Sequence, residues 1–257
     1  MEAQNDNDWK KLNKALAEAG DNLNILEEEV DIEVQKSYFR LAERLSEKEG
    51  AFRRLGKVYA SRPDDLFDES VDPEEKKKML VVLSTVDDIA IYRVLEKFSK
   101  TDSPLKKWAV IALQQSRMLI QSGLLEDPGV FISTGLGGQG LLLRYFCVLI
   151  HQSIEPLLEF QQHIVRNETE SALKPLNGQV EQICFCNGYS TLLLLLPIHT
   201  NLKDLFEGII EESNQYGHFL LENLIITNVK KLTKEEIDGI LKKRRSDPST
   251  TGSATAP

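Results

Sequence analysis

Cysteine is scarce in this chain and badly spaced for chemistry: Cys147, Cys184 and Cys186 are odd in number and form no C-x-x-C pair. That excludes a disulfide framework and a zinc-ribbon site. The four histidines, His151, His163, His199 and His218, make no H-E-x-x-H or H-x-x-H pattern, so no metal and no cofactor is expected. Nor does spacing pair any of them with a serine, cysteine or acid, and no catalytic set is expected. A basic excess is missing too. Lys and Arg number 31 against 40 Asp and Glu, a formal charge of −9, which leaves no global footprint for gripping a phosphate backbone. Neither a nucleic-acid nor an anionic-membrane partner is expected. The longest strongly apolar run, Leu192 to Ile198, falls far short of the roughly 20 residues that cross a bilayer. The opening MEAQNDNDWKK lacks the apolar core of a signal peptide, and with the free thiols it predicts a cytoplasmic protein.

What is present is enough for a core: 257 residues, 41% of them apolar, between one and two average domains. To about Gly123 the apolar residues recur at helical spacing, first Trp9, Leu12, Leu16 and Ala19, then Val30, Val34, Tyr38, Leu41 and Leu45. Capping chemistry follows. Asp72 before Pro73, Thr85-x-x-Asp88, and Ser103 before Pro104 predict helices near 73–83, 86–99 and 104–122. The stretch Thr101-Asp102-Ser103-Pro104-Leu105-Lys106-Lys107-Trp108-Ala109-Val110-Ile111-Ala112-Leu113 ends one helix at a short Asp/Pro turn and starts the next with basic, then small apolar residues. Over about 86–122 this resembles a HEAT-like repeat, and the resemblance implies a protein-binding scaffold. No second clean copy follows at the repeat period, so a long solenoid is not expected.

After Glu126-Asp127-Pro128-Gly129 the texture changes. Val130 to Thr134 and Leu141 to Ile150 read as extended, and Glu155 to Lys174 as helical. Val180 to Cys186, Asn187-Gly188 and Tyr189 to Leu196 read as a hairpin with a type I′ turn. Asn201 caps a helix that stops near Gly217. Phe219 to Val229 reads as a strand, and Thr233-x-x-Glu236 as the capping box of a last helix reaching about Lys243. From 141 to 243 the order is strand, helix, strand, strand, helix, strand, helix, which resembles a ferredoxin-like βαββαβ sandwich with an added helix. The expected fold class is therefore α+β: a helical domain at 1–127, a ferredoxin-like domain at 128–245, and a disordered tail at 246–257, where nothing can be buried.

One motif invites a function. Gly135, Gly137 and Gly140 fit a G-x-G-x-x-G fingerprint, with Gly138 between them. Such a loop holds a pyrophosphate only where a strand leads into it and a helix leaves it. Leu141 to Ile150 reads as extended, so three readings stay open: a phosphate-binding turn, a flexible connection into the first strand, or a ligand or partner loop. Arg144 and His151 would line such a site, the guanidinium holding a phosphate or carboxylate. The basic segment of Lys230, Lys231, Lys234 and 242–245 could steer an acidic partner or RNA, although helix C-termini attract cations anyway. The central strand carries leucines where RNA-recognition domains place stacking aromatics. The expected function is a non-catalytic protein-interaction or regulatory module, acting through a protein partner or self-associating through an edge strand. The alternative is phosphorylated-ligand or nucleotide binding, with or without catalysis, at 135–140.

Overall fold

The structure is a computed structural model that describes residues 23–125 and 130–246. The described residues fall into two compact units divided between Ser133 and Thr134. The stripe from Trp9 to Ala19 and the expected tail from 247 onward lie outside the described residues.

The first unit opens with strand β1 (Leu23–Ile25). The helices α1 (Ile32–Ser46), α2 (Glu49–Ala60), α3 (Pro73–Leu83), α4 (Ile89–Ser99) and α5 (Lys106–Leu125) follow, and strand β2 (Val130–Ile132) closes it. Helix α3 is the centre. Met79 to Leu83 are five successive buried residues, and a helix apolar on every side must be surrounded; α1, α2, α4 and α5 all pack on it. The starts follow from side-chain oxygens accepting orphan amides. Asp31 accepts from Glu33 N, and Asp88 from Ala90 N, each at 2.7 Å. Asp88 is thus the cap itself rather than the fourth member of a box begun at Thr85, and α4 starts three residues later than its expected bound. Buried Tyr38 anchors α1 by donating to Gln115 Oε1 at 2.7 Å and pairing with Ser84 Oγ at 3.1 Å.

The boundary expected near residue 127 moves to 133 because Val130 to Ile132 belongs with the helices. Leu23 to Ile25 pairs with it in parallel, and parallel strands are necessarily far apart in sequence. Nothing local in 130–134 signals a partner a hundred residues upstream.

The second unit contains β3 (Gly138–Gln139), β4 (Leu142–His151), α6 (Glu159–Leu173), β5 (Gln179–Cys186), β6 (Tyr189–Pro197), α7 (Leu202–Asn214), β7 (Leu220–Thr227) and α8 (Lys234–Ser246). The four long strands lie in the spatial order β7, β4, β6, β5, every neighbour antiparallel, and β3 pairs with the start of β4. With its helices this is an α+β unit. Alternation sends Leu143, Cys147 and Leu149 of β4, with Leu192, Leu194 and Leu196 of β6, to one face, and all are buried. Gly178 sits between Leu173 of α6 and Leu196, which places α6 on that face, with α7 packed along it. The other face carries Phe146, Val148, Ile150, Tyr189 and Leu193, which cluster with Ile237 and Leu241 of α8. Helix α8 therefore covers the second face.

The Asn187-Gly188 hairpin forms, with Cys186 opposite Tyr189. Its turn is not the expected type I′. Gly188 has φ 81°, whereas Asn177 is the non-glycine residue with positive φ among the described residues. A positive φ at the second central position alone is the type II pattern.

Candidate functional site

The glycine run turns out to be a hairpin. Gly138 pairs with Leu143 and Gln139 with Leu142, and the two-residue turn begins at Gly140, with φ 57°, as a II′ turn requires. No helix follows the last glycine, so the amide-rich helix end that a pyrophosphate seeks is absent here. Gly135 has a separate duty: a Cβ there would lie 1.7 Å from the carbonyl oxygen of Val229. That approach lets Leu136 N donate to Asn228 O at 3.0 Å, and Leu136, wholly buried, joins the α8-side cluster.

Arg144 and His151 are not brought together. Seven residues apart on one strand, they are separated by roughly 23 Å along it, and they lie on opposite faces. The Arg144 guanidinium forks onto Glu181, Nε to Oε2 at 2.5 Å and Nη2 to Oε1 at 2.8 Å, while Nη1 donates to Leu136 O at 2.8 Å. Glu181 reaches it from a bulge, because the register shifts between Val180 and Gln182 and a bulge re-aims a side chain. That hydrogen bond holds the Glu181 carboxyl below its ordinary pKa. Buried His151 shares a 2.7 Å hydrogen bond between Nε2 and Ser190 Oγ, its Nδ1 has no partner among the described residues, and burial pushes its pKa down to about 4.

A cleft opens instead on the α8 side of the sheet, a cavity of about 270 Å³. Phe146, Tyr189 and Thr191 line it from the central strands, Gln182 from edge strand β5, and Lys231 and Lys234 from the segment leading into α8. Its lining contains two lysines and no carboxylate. Burial pushes the Tyr189 phenol up to about 12, assisted by nearby Cys186, Asp238 and Glu235, so the ring stays neutral. The segment that brings the lysines here is fixed at both ends. Leu232, Ile237 and Leu241 are packed in the sheet's cluster. The expected Thr233 capping box forms as well, Thr233 N donating to Glu236 Oε2 at 2.9 Å and Glu236 N to Thr233 Oγ1 at 3.3 Å. Only the pairing of strands distant in sequence could reveal this cleft, although the lysines at its rim were legible as a basic segment.

The opposite side has the opposite sign. Helices α6 and α7 carry seven carboxylates against two cations, and the cavity of about 430 Å³ between them is lined by Glu168, Asp204 and Glu212 with no cation. From Lys230 to Lys243, five cations stand against three carboxylates. Among the described residues, no group of three or more His, Cys, Asp or Glu could hold a metal ion, and no helix is long and apolar enough to cross a membrane.

No protein-family model matches the chain, and no curated protein does. Several solved structures are similar to part of it. The crystal structure of a "putative transposase" from Deinococcus radiodurans R1 covers 40% of this chain and 91% of its own, at 12% identity and a TM-score of 0.35. A REP-associated tyrosine transposase bound to a REP hairpin covers 42% of this chain and 68% of its own, at 9% identity and a TM-score of 0.30. The first is described as a putative transposase and the second as a tyrosine transposase bound to a REP hairpin, against which the expectations of a non-catalytic protein-interaction module and of no nucleic-acid partner are withdrawn. At such low similarity, no residue's role is transferred from them.

Proposed function

We propose that the second unit is a ferredoxin-like α+β sandwich that binds nucleic acid on the sheet face beneath α8. The strand order β7, β4, β6, β5 with two helices on one face supports the fold reading. The observation that carries the function is the cleft with Lys231 and Lys234 at its rim and no carboxylate in its lining. A phosphate chain is drawn to local positive charge, and its affinity depends on how many phosphates are neutralised rather than on the net charge of the whole protein. The −9 of the full sequence is concentrated elsewhere, in part on α6 and α7. Polarity within the unit then orients the ligand: the acidic helical layer repels it and the α8 side accepts it. In the first unit, packing of α4 on α5 supports a HEAT-like reading of that pair alone. The three free thiols support a reducing, cytoplasmic setting.

Fluorescence anisotropy with labelled random-sequence DNA and RNA at low salt tests the binding. Affinity should fall as salt rises, and Lys231→Glu with Lys234→Glu should abolish binding, whereas Lys203→Glu on α7 should leave it unchanged. Absence of binding to every nucleic acid at low salt, or binding indifferent to the two lysine replacements, overturns the proposal.

A further inference from the structure

Resting on that reading, we infer that the cleft takes a single unpaired base, and that Gln182 and Thr191 read its edge. The shape is the first reason. At about 270 Å³ the cavity lies just under the ~300 Å³ lower bound for small-molecule pockets, a size for one planar group and not for a groove-filling duplex. The second reason is its surface. The floor is apolar, made by Phe146 and Tyr189 where they pack beneath α8, and a planar base sheds water against such a surface.

Hydrogen-bonding capacity is the third reason. Thr191 is half-buried, and its hydroxyl makes no side-chain hydrogen bond among the described residues. Gln182 is exposed, and its amide nitrogen donates only to Cys184 Sγ at 3.1 Å, a weak acceptor. A carboxamide and a hydroxyl facing one small cavity match the mixed donors and acceptors of a base edge. Lys231 and Lys234 then stand where the phosphates flanking an inserted nucleotide would pass.

Helix α8 is poorly placed to enter the major groove of a duplex. Its inner side is spent on the sheet through Ile237 and Leu241, and its first turn carries Glu235 and Glu236, which repel phosphate. The cleft, not the helix, is the recognition element, so the ligand must present a base outside a continuous stack: a single strand, a bulge or a loop.

Three probes of about 20 nucleotides separate the possibilities: a random-sequence single strand, the same pool as a blunt duplex, and an abasic strand that keeps the phosphates without the bases. Expected is a single strand bound about tenfold more tightly than either of the others, the scale of one base edge read by hydrogen bonds. Gln182→Leu and Thr191→Val should each remove most of that advantage while leaving affinity for the abasic strand unchanged. Neither side chain is in the core, and an unchanged thermal midpoint confirms that each variant is folded. Equal affinity for all three probes, with the lysine dependence intact, overturns this inference and leaves nucleic-acid binding standing. Loss of binding to every probe in the wild type removes both.

Discussion

Acid should weaken the second unit through one imidazole. In an unfolded chain a histidine titrates near 6.5; in the fold, burial presses the His151 pKa down to about 4. The ring is 1% exposed, its Nε2 is engaged with Ser190, and its Nδ1 has no partner among the described residues to stabilise a proton. Because the folded pKa lies below the unfolded one, the unfolded chain takes up the proton first. The stability due to the neutral ring is therefore complete above about pH 6.5 and is lost progressively as pH falls towards 4. A gap of about 2.5 pH units at about 1.4 kcal/mol each caps the loss near 3 kcal/mol, of which about 2.5 kcal/mol should be gone at pH 4.5. His151→Gln keeps an amide within reach of Ser190 and cannot titrate. The assay is urea unfolding by far-UV circular dichroism between pH 7 and 4.5. Tryptophan fluorescence run in parallel isolates the first unit, since Trp9 and Trp108 both lie within residues 1–133. The difference in unfolding free energy between wild type and variant should shift by about 2.5 kcal/mol across that range. Parallel pH profiles would refute the reasoning, because the ring would then have a route to a counter-charge or to water.

Gly135→Ala should destabilise the second unit by more than about 1 kcal/mol, since the added methyl meets the Val229 carbonyl; an unchanged calorimetric midpoint would show that the chain slips aside freely. Tyr38→Phe removes a donor from Gln115 and a partner from Ser84 and should cost about 1–2 kcal/mol. Trp108, whose ring lies 5.4 Å from that of Tyr38, reports the loss by fluorescence, and a variant as stable as wild type would show that water replaces the hydroxyl.

Hairpin, caps and helix periods could be read directly because each rests on residues within a few positions of one another. Thr233 and Glu236 meet within one turn, and Asn187-Gly188 closes its strands locally, with the positive φ on Gly188 alone. The glycine fingerprint left three readings open for the same reason. Three glycines at the right spacing specify backbone freedom, and one strand pairing, Gly138 with Leu143, turns that freedom into a hairpin. Partners distant in sequence were invisible: β1 with β2, Gly135 with Val229, and Arg144 with a bulged Glu181 37 residues away.

By itself, then, the sequence determined the α+β class, the element order of the second unit and the positions of most caps and turns, because those depend on short-range sterics and hydrogen bonds. Tertiary structure alone decided which sheet face each strand residue joins, which charges gather on one side, and where a cleft remains. Those outcomes depend on strand register and on the packing of α8, through contacts between residues that share no neighbourhood along the chain.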